Sequence, residues 1–223
     1  MLAHNNRVAV IDDEPDGRDT IIDLLDEQHF EPIAIMGPFG SDIDRLIAEV
    51  DKADPGFVIC DHRLTAKQYA TFTGLQVVER LIERKRPAML LTTFQEPDLI
   101  ELRAALPRVP VIKGRDGFSF EEVSRLREIV RREIAAQPVS SRKPHRVIIR
   151  VEGVRTSDIE IVVPSWNRDH AFVLPRRQIA DSIRDLVKKG DYLLGDVNIG
   201  APSEDEIYFD NVNEIVENIR DLS

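Results

Sequence analysis

Arg7–Glu14 reads RVAVIDDE and Phe57–Leu64 reads FVICDHRL, and the fold turns on what these two stretches share. Each is a short apolar run that stops abruptly at an aspartate. A strand exposed on one face alternates apolar and polar residues, whereas an uninterrupted run suits a parallel strand covered on both faces. Pro87–Thr93 (PAMLLTT) has the same form and stops at Thr92, and Val109–Lys113 (VPVIK) stops at Lys113. Pro32–Met36 (PIAIM) completes the set of strand candidates.

Amphipathic stretches separate these runs. Asp16–Glu27 sets Ile21, Ile22, Leu24 and Leu25 on one helical face. Ser41 is placed to cap a helix carrying Ile43, Leu46, Ile47 and Val50. Further helices are predicted over Leu75–Ile82, Asp98–Ala105 and Phe120–Ile134. Regular strand–helix alternation predicts an α/β domain with a doubly wound, five-stranded parallel sheet.

The texture then changes. Ala135–Pro144 (AAQPVSSRKP) has no apolar period and reads as a linker. The expected division is a first domain over 1–136, a linker over 137–144 and a second domain over 145–223. In the second part, Arg146–Val151, Ile159–Val163, Ala171–Leu174, Tyr192–Ile199 and Glu206–Phe209 read as strands. Gln178–Lys188 reads as a helix that Gly190 can end, and Val212–Leu222 as a terminal helix. The expectation is a smaller β-rich α+β domain, a barrel or a sandwich.

The net charge is −10, which weighs against a nucleic-acid binder because phosphate neutralisation supplies most of such affinity. From Pro144 onward there are 10 Lys/Arg against 15 Asp/Glu, a net of −5, and no helix-turn-helix pattern. No apolar run approaches the ~20 residues of a membrane helix, and the N-terminus lacks a signal-peptide core, so the expected location is the cytoplasm. The single cysteine, Cys60, lies in an apolar run and is expected to be a buried structural thiol.

The chemistry gathers where the strands end. In an open parallel sheet, ligands bind beyond the carboxyl ends of the strands. Asp12 and Asp13 follow the first strand, Asp61 ends the third, Thr92 the fourth and Lys113 the fifth. Three neighbouring carboxylates repel unless a cation joins them, and hard oxygen donors at a partly hydrated site suit Mg²⁺. A carboxylate beside such an ion can attack phosphorus to form an acyl phosphate, with a hydroxyl and an ammonium holding the phosphoryl oxygens.

On these four motifs, in this order, residues 7 to about 136 resemble the receiver domain of two-component response regulators, whose sheet is flavodoxin-like. The resemblance implies that Asp61 is the phosphoacceptor. It also implies that Asp12, Asp13, Asp61 and the backbone carbonyl of Arg63 hold Mg²⁺, and that Thr92 and Lys113 hold the phosphoryl oxygens. The implied donor is a histidine kinase or a phosphotransfer protein, and a homodimer is consistent with the family. The family's Met-Pro after the acceptor is replaced by His62-Arg63-Leu64, and the loop from Asp61 to Gly74 is about five residues longer than usual. Lys113 is followed by Gly114 rather than proline, and Pro110 stands where the family has an aromatic switch residue.

Side readings follow from single residues. His62 reads as a loop residue without chemistry; Tyr69 and Phe72 either cover the site or a partner surface, or pack locally. Trp166 reads as a core or edge anchor. Arg176-Arg177 reads as a solvated helix start, and His145 and His170 lack metal-ligand spacing. The expected function is a phosphorelay response regulator, not otherwise an enzyme, that signals by protein–protein interaction rather than by binding DNA. The alternatives are a phosphate sink for a histidine kinase and a receiver-gated enzyme in the second domain.

Overall fold

The computed structural model describes residues 6–93, 96–116 and 118–216, with the backbone alone for 96–100. The chain divides into two compact units, drawn from 1–95 with 108–137 and from 96–107 with 138–223.

The first unit contains β1 (Arg7–Ile11), β2 (Glu31–Ala34), β3 (Phe57–Asp61), β4 (Ala88–Thr92) and β5 (Ile112–Gly114). They form a parallel sheet of order β2-β1-β3-β4-β5, the flavodoxin-like doubly wound arrangement. Helices α1 (Pro15–Glu27), α2 (Ile43–Ala53), α3 (Gly74–Glu83) and α5 (Val123–Ile134) belong to the same unit. Alternate strand residues serve opposite faces. Val8, Val10, Phe57, Ile59, Met89 and Leu91 pack with Ile21 and Leu25 of α1 and with Val123, Leu126 and Val130 of α5. Their neighbours Ala9, Ile11, Val58, Cys60, Ala88 and Leu90 are buried on the other face. Burying each large apolar side chain stabilises the sheet by about 1.5–3 kcal/mol, which is why these runs show no polar interruption.

Three local details depart from the sequence reading. Helix α2 is capped by Asp42, not Ser41: the Asp42 carboxylate accepts the Arg45 N–H at 2.9 Å. Thr73 and Gln76 form a reciprocal capping box that starts α3 one residue early, at Gly74. Strand β5 begins at Ile112, whereas the apolar run begins at Val109. Val109 and Val111 are buried as expected. Lys113 lies inside the strand, paired beside Leu91.

Helix α4 (Glu96–Ala105) groups with the second unit. That unit is built on β6 (His145–Val154), β7 (Asp158–Val163), β8 (Asn167–Pro175), β9 (Tyr192–Val197) and β10 (Phe209–Ile215). The sheet is antiparallel, of order β10-β9-β6-β7-β8. Its core joins Ile149, Val151, Ile161, Phe172, Leu193 and Phe209. Trp166 is an edge anchor: its ring packs against that core and its indole N–H donates to the Ala201 carbonyl at 3.0 Å.

The helix expected over Gln178–Lys188 shrinks to a 3-10 turn, Arg176–Gln178, and the four-residue α6 (Asp181–Arg184). Ile179 is taken up in a bridge with Val212, and the Arg184 guanidinium caps the carbonyls of Arg176 and Ile179. The strand expected at Glu206–Phe209 forms later, from Phe209, and takes in Val212, where a terminal helix was expected to start. Residues 217–223 of that expected helix lie outside the described residues.

The stretch read as a linker carries a 3-10 turn, Ser140–Arg142, with Arg142 buried. The Arg142 guanidinium donates to the Leu106 carbonyl after α4 at 2.8 Å and lies over the Tyr208 ring. Asn198 ties these pieces together. It is fully buried, donates to the carbonyls of Ser141 and Glu206, and accepts the Tyr208 N–H at 2.7 Å. Asn198→Ala strands those backbone groups and is expected to cost about 2–4 kcal/mol. Urea unfolding followed by Trp166 fluorescence checks this, and an unshifted midpoint would show that Asn198 is not holding the unit together.

Candidate functional site

The site forms because strands β1 and β3 end together. Ile11 pairs beside Cys60, so the next residues, Asp12 and Asp61, come level at the carboxyl edge, with Asp13 one step on. One carboxylate oxygen from each of Asp12, Asp13 and Asp61 lies within 4.8 Å of the others. Asp12 and Asp13 are buried, and the Asp61 side chain is 12 % exposed.

Each carboxylate is also held by a donor. Asp12 Oδ1 accepts the Glu14 N–H at 2.9 Å, where the chain turns into α1 with Pro15 at its first position. Asp61 Oδ2 accepts the Arg63 N–H at 2.9 Å. Asp13 Oδ2 accepts the Ala66 N–H from the long loop after β3. The remaining oxygens of Asp12 and Asp61 meet one nitrogen: Arg115 Nη2 is 2.5 Å from Asp12 Oδ2 and 2.9 Å from Asp61 Oδ1.

The electrostatics follow from this crowding. Burial pushes the Asp13 carboxyl above the usual range; the Ala66 N–H opposes the rise, and the charges of Asp12 and Asp61 add to it. Burial likewise raises Asp61, against the pull of Arg115. Burial works against the charge on Arg115, but its bonds to Asp12 and Asp61 win and hold the guanidinium more firmly protonated than usual.

The carboxylates open into a concavity of ≈390 Å³. Of the residues expected at the site, Asp12, Asp13, Asp61 and Arg63 line it, together with Thr65, Ala66, Thr93 and Arg115. Thr92 and Lys113 stand at the ends of β4 and β5 but are not among its walls. Thr92 is buried, with its hydroxyl directed at the Thr93 carbonyl at 3.4 Å, and Lys113 is half-buried.

Arg115 was missed by the sequence reading because that reading ended β5 at Ile112. The strand runs on to Gly114, and the first residue beyond it is Arg115. Its own N–H donates to the Thr92 carbonyl at 2.8 Å. The same strand-end reasoning reaches Arg115 as well as Lys113 when the strand is taken to Gly114.

The long loop packs inward. Tyr69 donates its hydroxyl to the Ile35 carbonyl at 2.7 Å and meets the Phe39 ring edge-on at 5.3 Å. Phe72 is buried too, and Gly40 pairs with Ala70. His62 lies in the loop after β3 but is buried, and its carbonyl accepts the Gly74 N–H at 2.8 Å. Gly74 has no alternative: a Cβ there would sit 1.7 Å from the Asp61 carbonyl oxygen. Cys60 is free and buried, and burial pushes its thiol well above the ordinary value, which keeps it protonated and inert.

The donor set fits a hard divalent cation. Three carboxylates supply oxygen ligands from one side, and the open concavity leaves room for water and a further oxyanion on the other. Among the described residues, this is the cluster of acidic side chains close enough to share a metal ion.

No protein-family model and no curated protein matches the chain. Solved structures do. NtrX from Brucella abortus is 17 % identical with a TM-score of 0.43, over 59 % of this chain and 28 % of NtrX. The anti-anti-sigma factor PhyR from Bartonella quintana is 18 % identical with a TM-score of 0.43, over 59 % of this chain and 50 % of PhyR. The Vibrio cholerae chemotaxis protein CheY4 is 19 % identical with a TM-score of 0.40, over 56 % of this chain and 97 % of CheY4. The structural neighbours include the receiver domain of NtrX, and this chain spans only part of the length of NtrX and PhyR.

Because Asp13 binds its proton more tightly folded than unfolded, its contribution to stability is present at low pH and lost as pH rises through the raised value. Asp13→Asn removes the buried charge and keeps an oxygen for the Ala66 N–H. In chelator-treated protein at neutral pH its Tm is expected to rise by a few degrees, roughly what 1 kcal/mol produces. The gain should fade as pH falls toward the ordinary Asp value of 3.8. Differential scanning calorimetry across pH checks both the sign and the window.

Proposed function

We propose that this chain is a phosphorelay response regulator whose first unit accepts a phosphoryl group on Asp61 with Mg²⁺. The observation that carries this reading is the gathering of Asp12, Asp13 and Asp61 at the carboxyl edge of a β2-β1-β3-β4-β5 sheet, their oxygens within 4.8 Å of one another. A site built for a static ion pair has no need of three carboxylates opening into a ≈390 Å³ concavity.

Asp12, Asp13, Asp61 and the Arg63 carbonyl would hold the Mg²⁺, which when bound offsets the carboxylate charge and draws in a phosphoryl oxygen. The protein's own groups do the remaining work. The Arg63 N–H fixes the plane of the Asp61 carboxylate by binding Oδ2, and the Glu14 N–H does the same for Asp12. An Asp61 oxygen attacks phosphorus in line with the departing imidazole nitrogen of a phosphohistidine on a histidine kinase or phosphotransfer protein. Thr92 and Lys113, at the ends of the neighbouring strands, are assigned to the phosphoryl oxygens. The reading gives the second unit no chemistry of its own. Its residues from Pro144 carry a net −5, with 10 Lys/Arg against 15 Asp/Glu, which favours a protein partner over nucleic acid.

Incubation of the full chain with Mg²⁺ and a small-molecule phosphodonor is expected to label it with an acid-stable, base-labile phosphoryl group. Asp61→Asn is expected to lose that label entirely, while Asp13→Asn loses most of it by weakening the cation. Undiminished labelling of Asp61→Asn would overturn the assignment of the acceptor.

A further inference from the structure

Arg115 occupies the ground that a divalent cation needs. Its Nη2 bridges Asp12 Oδ2 and Asp61 Oδ1 at 2.5 and 2.9 Å, and its side chain is only 26 % exposed. The opposite oxygens of the same two carboxylates are already engaged by the N–H groups of Glu14 and Arg63. The oxygens of Asp12 and Asp61 that no backbone N–H engages are thus the two that Arg115 holds.

The fold provides a seat for the guanidinium. Its backbone is pinned to the end of β4 by the bond from the Arg115 N–H to the Thr92 carbonyl at 2.8 Å. Gly17, in the first turn of α1, leaves room for it: a Cβ at that position would come within 3.1 Å of Arg115 Nη1 and 3.2 Å of Asp12 Oδ2. Backbone anchor, glycine clearance and a shared nitrogen together make this a built ion-pair site rather than a side chain resting on an acidic surface.

From this geometry we propose that Arg115 is an internal cation that a divalent ion must displace from Asp12 and Asp61, so that metal loading of the site is an exchange of one cation for another. The identity of the displacing ion rests on the receiver reading; the exchange itself rests on Arg115. Two cations cannot both sit within ~3 Å of the same carboxylate oxygens without strong repulsion. Without the divalent ion, Arg115 offsets part of the carboxylate repulsion and keeps the site folded. With the ion bound, the guanidinium is released at the mouth of the concavity, tethered to the strand end. Arg115 is a positioning residue in this scheme, acting through the availability of Asp61.

The exchange is tested by isothermal titration of the full chain, chelator-treated beforehand, with Mg²⁺, comparing wild type with Arg115→Ala. Removing the competitor is expected to tighten Mg²⁺ binding about tenfold, within the usual 5–150-fold range of coupling between sites. The same variant is expected to have a lower Tm without metal and to recover on adding it. Circular dichroism verifies that it is folded; if Arg115→Ala is not, Arg115→Gln, which keeps a polar side chain without the charge, replaces it with the same expectation. If both proteins bind Mg²⁺ with equal affinity, or the variant binds more weakly, the exchange is overturned while the receiver reading stands. If neither binds Mg²⁺, the cation site itself is overturned and the exchange with it.

Discussion

Three carboxylates held within 4.8 Å of each other at the end of a parallel sheet repel, and much of the local structure answers that repulsion. Three backbone N–H groups, from Glu14, Arg63 and Ala66, each give a hydrogen bond to a different aspartate. Arg115 supplies the positive charge. The cost is still visible in Asp13 and Asp61, whose carboxyl groups remain above the usual range. Arg115 sets one positive charge against three carboxylates, so the edge keeps an excess of negative charge.

The loop from His62 to Thr73 is part of the same answer. It is long, yet it is packed rather than loose, with Tyr69 and Phe72 buried and Gly40 bridged to Ala70. That packing fixes the position of the Ala66 N–H over Asp13. The extra residues therefore act on the site by placing one donor precisely enough to hold a carboxylate, while Gly74 lets α3 start directly against the Asp61 carbonyl. Tyr69 and Phe72 pack locally, Tyr69 against Phe39 and the Ile35 carbonyl.

What was legible in the sequence was whatever depends on burial and strand ends. Fully buried parallel strands must be apolar throughout, so RVAVI, FVIC and AMLL stood out, and the aspartates that stop the first two fell on the sheet edge. What was not legible depends on hydrogen-bond accounting between distant segments. Arg115 is brought to the edge by the bond from its N–H to the Thr92 carbonyl, as β5 runs past Lys113 to Gly114. Asp42 took the cap from Ser41 because its carboxylate reaches the Arg45 N–H. In the second unit, the apolar period over Gln178–Lys188 was real, but Ile179 was claimed by Val212 and the nearby carbonyls by the Arg184 guanidinium, so the helix stops after four residues.

In sequence α4 follows the strand that ends at Thr92 and precedes the one that carries Lys113, yet it is counted with the second unit. There Arg103 lies over the Phe172 ring and the Leu106 carbonyl is held by Arg142, a residue from the stretch that reads as a free linker. Phe172 in turn sits in the core of that unit, packed against Trp166 and Phe209. Helix α4 is thus tied to the core of the second unit, through Arg103 on Phe172 and through the Leu106 carbonyl held by Arg142.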